Sequence, residues 1–146
     1  MTDGRTGWDP LILAVAPNGA RKTKADHPEL PLSPEEIGRT AAACREAGAA
    51  MIHLHVRDEA GRHSLDPERY RAAIAAVERE AGRDFLIQVT SEAGGRYRPA
   101  EQMAMLRELR PAYVSLAPRE ILPDAASEAE GAAFLAWMAV EGIRPQ

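Results

Sequence analysis

Two histidines one residue apart, His53 and His55, sit inside the apolar run Met51-Ile52-His53-Leu54-His55-Val56, which Arg57-Asp58 closes. Alternate side chains of an extended strand share a face. The spacing therefore predicts His53, His55 and Arg57 on one side and Ile52, Leu54 and Val56 on the other. Two neutral imidazoles placed this way can close on one cation, and zinc is a common choice for such donors. A strand with two hydrogen-bonded core histidines is the plainer reading, and the spacing alone does not separate the two. Position favours the chemical one, because α/β barrels and open sheets gather their chemistry at the C-terminal ends of strands. Arg57 at that mouth would hold a carboxylate in a two-pronged fork. Its structural alternative is a local ion pair with Asp58.

Three further polar clusters follow apolar runs. Asn18, Arg21 and Lys22 come after Leu11–Ala16, and Thr90, Ser91 and Glu92 after Phe85–Val89. Ser115 lies on Tyr113–Leu116, with Arg119 and Glu120 beyond it. Parallel strands would bring all these ends to one side of a sheet. Thr90 and Ser91, followed by Gly94-Gly95, either start a turn or offer hydroxyls and N–H groups to substrate oxygens. His63, past a glycine turn, and His27, before Pro28, read as ordinary loop residues. Cys44, in a helical stripe with Ile37 and Ala41, reads as a small core residue.

The elements that must position these groups alternate strictly. Leu11–Ala16 predicts a strand buried on both faces, stopped by Pro17-Asn18-Gly19. A polar loop from Arg21 to Leu32 leads to Ser33-Pro34-Glu35-Glu36, a capping box with proline at the first helical position, and a helix to Ala47 with Gly48 as its left-handed stop. The His-x-His strand follows, then a turn at Glu59-Ala60-Gly61. A helix from Asp66-Pro67 to near Gly82 carries Tyr70, Ile74 and Val77 on one face. The strand Phe85–Val89, a helix Pro99–Leu109 with Met103 and Leu106 inward, and the strand Tyr113–Leu116 come next. A capping box at Ser127-Glu128-Ala129-Glu130 opens the last helix, through Trp137 and Met138 to Gly142. Four β-α units with no hairpin signal imply parallel strands joined by right-handed crossovers. The fold class is α/β, a single domain over residues 1–146 that amounts to half of an eightfold barrel, since a complete one typically needs about 250 residues.

Composition narrows the function classes. With 18 Lys and Arg against 22 Asp and Glu, a net charge of −4 argues against nucleic acid or anionic lipid as partner. No apolar run approaches the roughly 20 residues of a membrane helix, and the polar start, Met1 to Pro10, lacks the apolar stretch of a secretory signal. The single cysteine forms no internal disulfide and fits a cytoplasmic protein.

Several motifs together resemble the β-keto acid cleavage enzymes, the family of the 3-keto-5-aminohexanoate cleavage enzyme. They are Asn18-Gly19-Ala20; Asp26-His27-Pro28-Glu29-Leu30-Pro31-Leu32-Ser33-Pro34-Glu35-Glu36-Ile37; Ala47 through Asp58; Gly61-Arg62-His63-Ser64-Leu65-Asp66; and Gln88-Val89-Thr90-Ser91. The resemblance covers nearly the whole chain, in order. It implies a zinc-dependent (β/α)8 TIM barrel that exchanges acyl groups between a β-keto acid and acetyl-CoA, giving acetoacetate and a new acyl-CoA. His53 and His55 match the two zinc-binding histidines. Thr90 and Ser115 match hydroxyls that bind substrate, and Arg57 and Ser91 join them as candidate substrate contacts. Arg21 and Glu92 depart from the pattern and bear on substrate charge. The family's third zinc ligand, a carboxylate, and its general base belong to the second half of the barrel, so no catalytic residue is assigned. Within the chain only Asp58, His63 or Glu92 would add a third ligand. A homo-oligomer or a separate C-terminal half is therefore the expected partner, and the 146-residue chain alone is expected to be inactive. The alternatives are a non-catalytic fragment or pseudoenzyme with a partial metal site, and a self-contained four-unit domain that binds a small anion.

Overall fold

The computed structural model describes residues 11–146. In chain order the elements are β1 (Ala14–Val15), α1 (Pro34–Glu46), β2 (Met51–Leu54), β3 (Val56–Arg57), β4 (His63–Ser64), α2 (Pro67–Ala81), β5 (Leu86–Thr90), α3 (Pro99–Leu109), β6 (Tyr113–Ser115), α4 (Pro118–Ile121), a 3-10 turn (Ala125–Ser127), α5 (Glu128–Val140) and β7 (Arg144–Pro145). Five strands form one parallel sheet in the order β1-β2-β5-β6-β7. Adding each new strand beside the last, always parallel, is how a (β/α) barrel grows. The fifth strand already pairs with the fourth through Tyr113↔Arg144 and Val114↔Pro145. The core lies between sheet and helices, with Ile37, Ile52, Leu54, Tyr70, Val77, Val89, Leu106, Val114 and Phe134 fully enclosed.

Helix α1 starts as its sequence requires. The Ser33 side chain accepts from Glu36 N, and the Glu36 carboxylate accepts from the backbone N–H of Leu32 at 2.8 Å and of Ser33 at 3.0 Å. The contact with Lys24, followed by these two N–H groups, holds the Glu36 carboxyl down to about 2. A carboxyl depressed on folding adds stability above its unfolded value, near 4.5, and loses it as the pH falls towards 2. Glu36→Ala should therefore lower stability by about 1 kcal/mol at pH 7, and urea titrations at pH 7 and pH 2 should find the difference largely gone in acid.

The structure departs from the sequence expectations at five places. Leu11, Ile12 and Leu13 are 84%, 68% and 50% exposed rather than buried on both faces: they precede β1, which among the described residues is an edge paired with β2 alone. The His-x-His strand breaks at His55, so the alternation does not continue: Val56 and Arg57 are both buried. These two residues form an antiparallel hairpin with His63 and Ser64, through Val56↔Ser64 and Arg57↔His63, although no hairpin was expected. Cys44 is only half-buried, since the inward stripe of α1 runs through Ile37, Gly38 and Ala41 and leaves it at the margin. Finally, α4 was not expected, and the turn into α5 is capped by the Asp124 carboxylate accepting from Ser127 N rather than by Ser127.

Candidate functional site

The C-terminal ends of β1, β2 and β5 surround a cavity of about 300 Å³ lined by Gly19, Ala20, Arg21, Lys22, His55, Glu92 and Gly94. His55, just past β2, lines it, and His53 lies on β2 beside it. His53 and His55 do converge: their Nε2 atoms lie 3.1 Å apart, with ring centroids at 5.0 Å. Each is aimed by a neighbouring strand or loop. The register His53↔Gln88 sets the Gln88 side chain beside His53, whose Nδ1 donates to Gln88 Oε1 at 2.7 Å. Gln88 Nε2 in turn donates to Gln146 Oε1 at 2.7 Å. His55 is fixed through its backbone, where Asn18 Nδ2 donates to its carbonyl at 2.8 Å and Asn18 Oδ1 accepts from its N–H at 3.2 Å. Asn18 also donates to Pro31 O at 3.2 Å, tying the loop after β1 to the start of α1.

Electrostatics keep His55 and His63 in the neutral form. Burial, then the neighbouring His53, His63 and Arg57, push the His55 imidazole down to about 3. His63 is also pushed down, mainly by burial. Both are neutral at physiological pH and each retains a nitrogen lone pair. The donor pair fits a tetrahedral metal. Zinc–nitrogen bonds of about 2.0–2.1 Å place two cis nitrogens about 3.3 Å apart, close to the observed 3.1 Å. Among the described residues no group of three or more His, Cys, Asp or Glu side chains is placed to hold a metal ion. Asp58 and Glu92 are engaged elsewhere. Asp58 pairs with Arg62 at 2.9 Å and Arg96 at 3.4 Å, and Glu92 Oε1 accepts from the Ser115 hydroxyl at 2.9 Å.

The expected substrate contacts fare differently from the histidines. Arg57 does not line the cavity, because the break at His55 turns it away. Its guanidinium donates instead to four backbone carbonyls: Gly19 at 2.7 Å, Gly61 at 2.9 Å, Lys22 at 3.1 Å and Asn18 at 3.3 Å. Asp58 is not its partner. Arg57 thus acts as an internal clamp on the loop after β1. Thr90 and Ser91 are fully buried: Thr90 Oγ1 accepts from Glu92 N at 3.1 Å, and Ser91 Oγ donates to Ser115 O at 3.4 Å. Ser115 pairs in register with Thr90 and is half-buried. The sequence reading missed Gln88, whose signal was a carboxamide in the middle of an apolar strand; His63, read as a loop residue or a possible third ligand, is 3% exposed with its ring 5.3 Å from that of His55.

Comparison with known proteins places this geometry in context. A family model described as beta-keto acid cleavage enzyme matches residues 10–146. The chain is 41% identical over 103 residues to the 3-keto-5-aminohexanoate cleavage enzyme of Fusobacterium nucleatum, covering 70% of this chain and 35% of that protein. It is 32% identical over 108 residues to the 3-oxoadipate:acetyl-CoA acetyltransferase of Cupriavidus necator, covering 74% and 37%. It is 33% identical over 107 residues to the 3,5-dioxohexanoate:acetyl-CoA acetone transferase of Paraburkholderia graminis, covering 73% and 34%. The chain thus spans about a third of the length of these curated relatives. Among solved structures, D-glucarate dehydratase from Agrobacterium tumefaciens, crystallised with magnesium, superposes with a TM-score of 0.54 at 18% identity, over 88% of this chain and 31% of that one. That likeness supports the partial-barrel fold. No helix among the described residues is long and apolar enough to cross a membrane.

Proposed function

The chain belongs to the beta-keto acid cleavage enzyme family, and on that premise we propose that it forms part of a zinc-dependent enzyme exchanging acyl groups between a β-keto acid and acetyl-CoA. In that exchange the β-keto acid's acyl group passes to CoA, and the acetyl group leaves with the released two-carbon unit as acetoacetate. The family match over residues 10–146 carries this reading. Support for zinc comes from the two facing Nε2 atoms at 3.1 Å. Held there, the ion would supply Lewis-acid polarisation of the keto oxygen.

The chain's own residues do the positioning. Gln88 and Asn18 set the two imidazoles, and Arg57 fixes the loop that carries Arg21 and Lys22 over His55. Those two cations are better placed than Arg57 to meet the substrate carboxylate, because they line the cavity and Arg57 does not. Ser115, with Thr90 and Ser91 behind it, offers a hydroxyl at the same strand ends. Catalytic zinc sites usually have three protein ligands and one open position. The described residues bring two together, so a third donor is expected from outside them.

The test is an assay for acetoacetate from a panel of β-keto acids with acetyl-CoA and zinc. It is run on the 146-residue chain alone and on the chain assembled with the unmatched remainder of the Fusobacterium nucleatum relative. The expected result is no turnover alone and acetyl-CoA-dependent turnover in the assembly. A folded assembly that binds zinc yet converts no β-keto acid would contradict the proposal.

A further inference from the structure

His55 and His63 each bury a ring nitrogen without a hydrogen-bond partner, Nδ1 in both cases, and the two are complementary. Nε2 of His63 lies 2.8 Å from the backbone carbonyl oxygen of Glu92. A carbonyl only accepts, so this nitrogen carries the proton, and Nδ1 of the neutral ring holds a lone pair. At His55 the assignment runs the other way. Its Nε2 faces that of His53 at 3.1 Å; a cation taken there uses that lone pair and leaves the ring proton on Nδ1. The rings stand 5.3 Å apart, centroid to centroid, at 63°. No bond joins the two Nδ1 atoms in this structure, but the rings are neighbours, and a turn of the His55 ring would bring them to an N–H···N bond.

The two candidate ligands differ in one respect. Nδ1 of His53 already donates to Gln88 Oε1 at 2.7 Å, whereas Nδ1 of His55 has no acceptor. Metal-bound histidines almost always give their second N–H to an acceptor, which fixes ring orientation and raises ligand basicity. We propose that His63 is a positioning residue for the metal: its Nδ1 accepts the proton that His55 carries on Nδ1 when Nε2 binds the cation. The inference rests on the zinc reading above.

The His63 ring is held ready for this role. Its backbone pairs with Arg57 in the hairpin. Its carbonyl accepts from the Arg96 guanidinium and from the Tyr97 hydroxyl, the latter at 3.4 Å. Gly94, at φ +58°, closes over it so tightly that a Cβ there would stand 3.0 Å from His63 Cδ2. A ring locked by its surroundings loses no rotamer freedom when the metal arrives.

The experiment measures zinc affinity by competition with a chromogenic chelator, on the chain assembled with the unmatched remainder of the Fusobacterium nucleatum relative. His63→Gln keeps a donor for the Glu92 carbonyl but removes the acceptor at the Nδ1 position, and should weaken zinc about 10–100-fold. His63→Asn puts an amide oxygen where Nδ1 stood and should lie closer to wild type. Equal affinity in wild type and H63Q would overturn the inference and leave the His53/His55 site standing. So would an H63N as weak as H63Q, because ring packing rather than the acceptor would then matter. No zinc on the wild type would overturn both readings. A long-range ¹H–¹⁵N spectrum of the zinc-loaded wild type needs no variant: it should find the proton on Nδ1 of His55 and on Nε2 of His63, and a proton on Nδ1 of His63 would overturn the assignment.

Discussion

Arg57→Met should lower the stability of the fold by about 3 kcal/mol or more, and it should do so whether or not any metal or substrate is present. Arg57 is 7% exposed, and its guanidinium donates to the carbonyls of Asn18, Gly19, Lys22 and Gly61. Hydrogen bonds to a charged group contribute about 1.5–3 kcal/mol each, and truncating the donor leaves several acceptors short of water. Methionine fills the space of the stem but offers nothing to these oxygens. Lysine should rescue little, because an ammonium is a point charge and cannot span carbonyls on both sides of a planar fork. Urea denaturation reads the effect directly as a lowered midpoint. The loss should spread to the site, since the released loop carries Asn18, which holds His55, together with Arg21 and Lys22. A variant of near-wild-type stability that has lost only its use of β-keto acids would instead make Arg57 the carboxylate fork that the sequence suggested.

That reversal illustrates what the sequence can express. The strand-helix alternation, the capping box at Ser33 and Glu36, and the gathering of polar clusters at strand ends are properties of local pattern, and all appear in the structure. The shared face of His53 and His55 is local too. Arg57 leaves the expected face because periodicity extends a strand until something visible stops it. Here the stop is tertiary: β3 leaves β2 to pair with His63 and Ser64. Each arm of that hairpin has two residues, too few to display a period. Its turn did carry a sign, Gly61 at φ +73°, with Asp58 Oδ1 accepting from Ala60 N at 3.0 Å and Arg62 N at 2.8 Å. The apolar run Leu11–Leu13 has the composition of a central strand, and only the sheet order reveals that β1 has one neighbour. Cys44 likewise sits one turn beyond Ala41 in a regular stripe, yet the buried face of α1 ends at Ala41 and leaves it half-buried. Glu92 and Ser115 lie 23 residues apart and meet only because β5 and β6 are parallel neighbours.

The largest effect on the site itself should come from the two histidines. Their Nε2 atoms face one another at 3.1 Å, a separation two ligands of one tetrahedral ion would adopt with little rearrangement. Burial keeps His55 neutral far below physiological pH, so no proton competes for the position. His53→Ala or His55→Ala removes half of the donors the chain contributes. Losing a direct ligand exceeds the roughly 10–100-fold cost of losing an outer partner, so either variant should bind zinc more than about 100-fold more weakly. The fold should persist, because the remaining contacts of β2 are backbone pairs with β1 and β5 and the apolar side chains of Ile52 and Leu54. The decisive measurement is zinc stoichiometry and affinity, by chelator competition, in wild type and the His53→Ala/His55→Ala double variant, each assembled with the unmatched remainder of the Fusobacterium nucleatum relative, with circular dichroism on the same samples. The account predicts about one zinc per wild-type chain and none on a double variant that is still folded. Zinc retained at full stoichiometry by the folded double variant would contradict it.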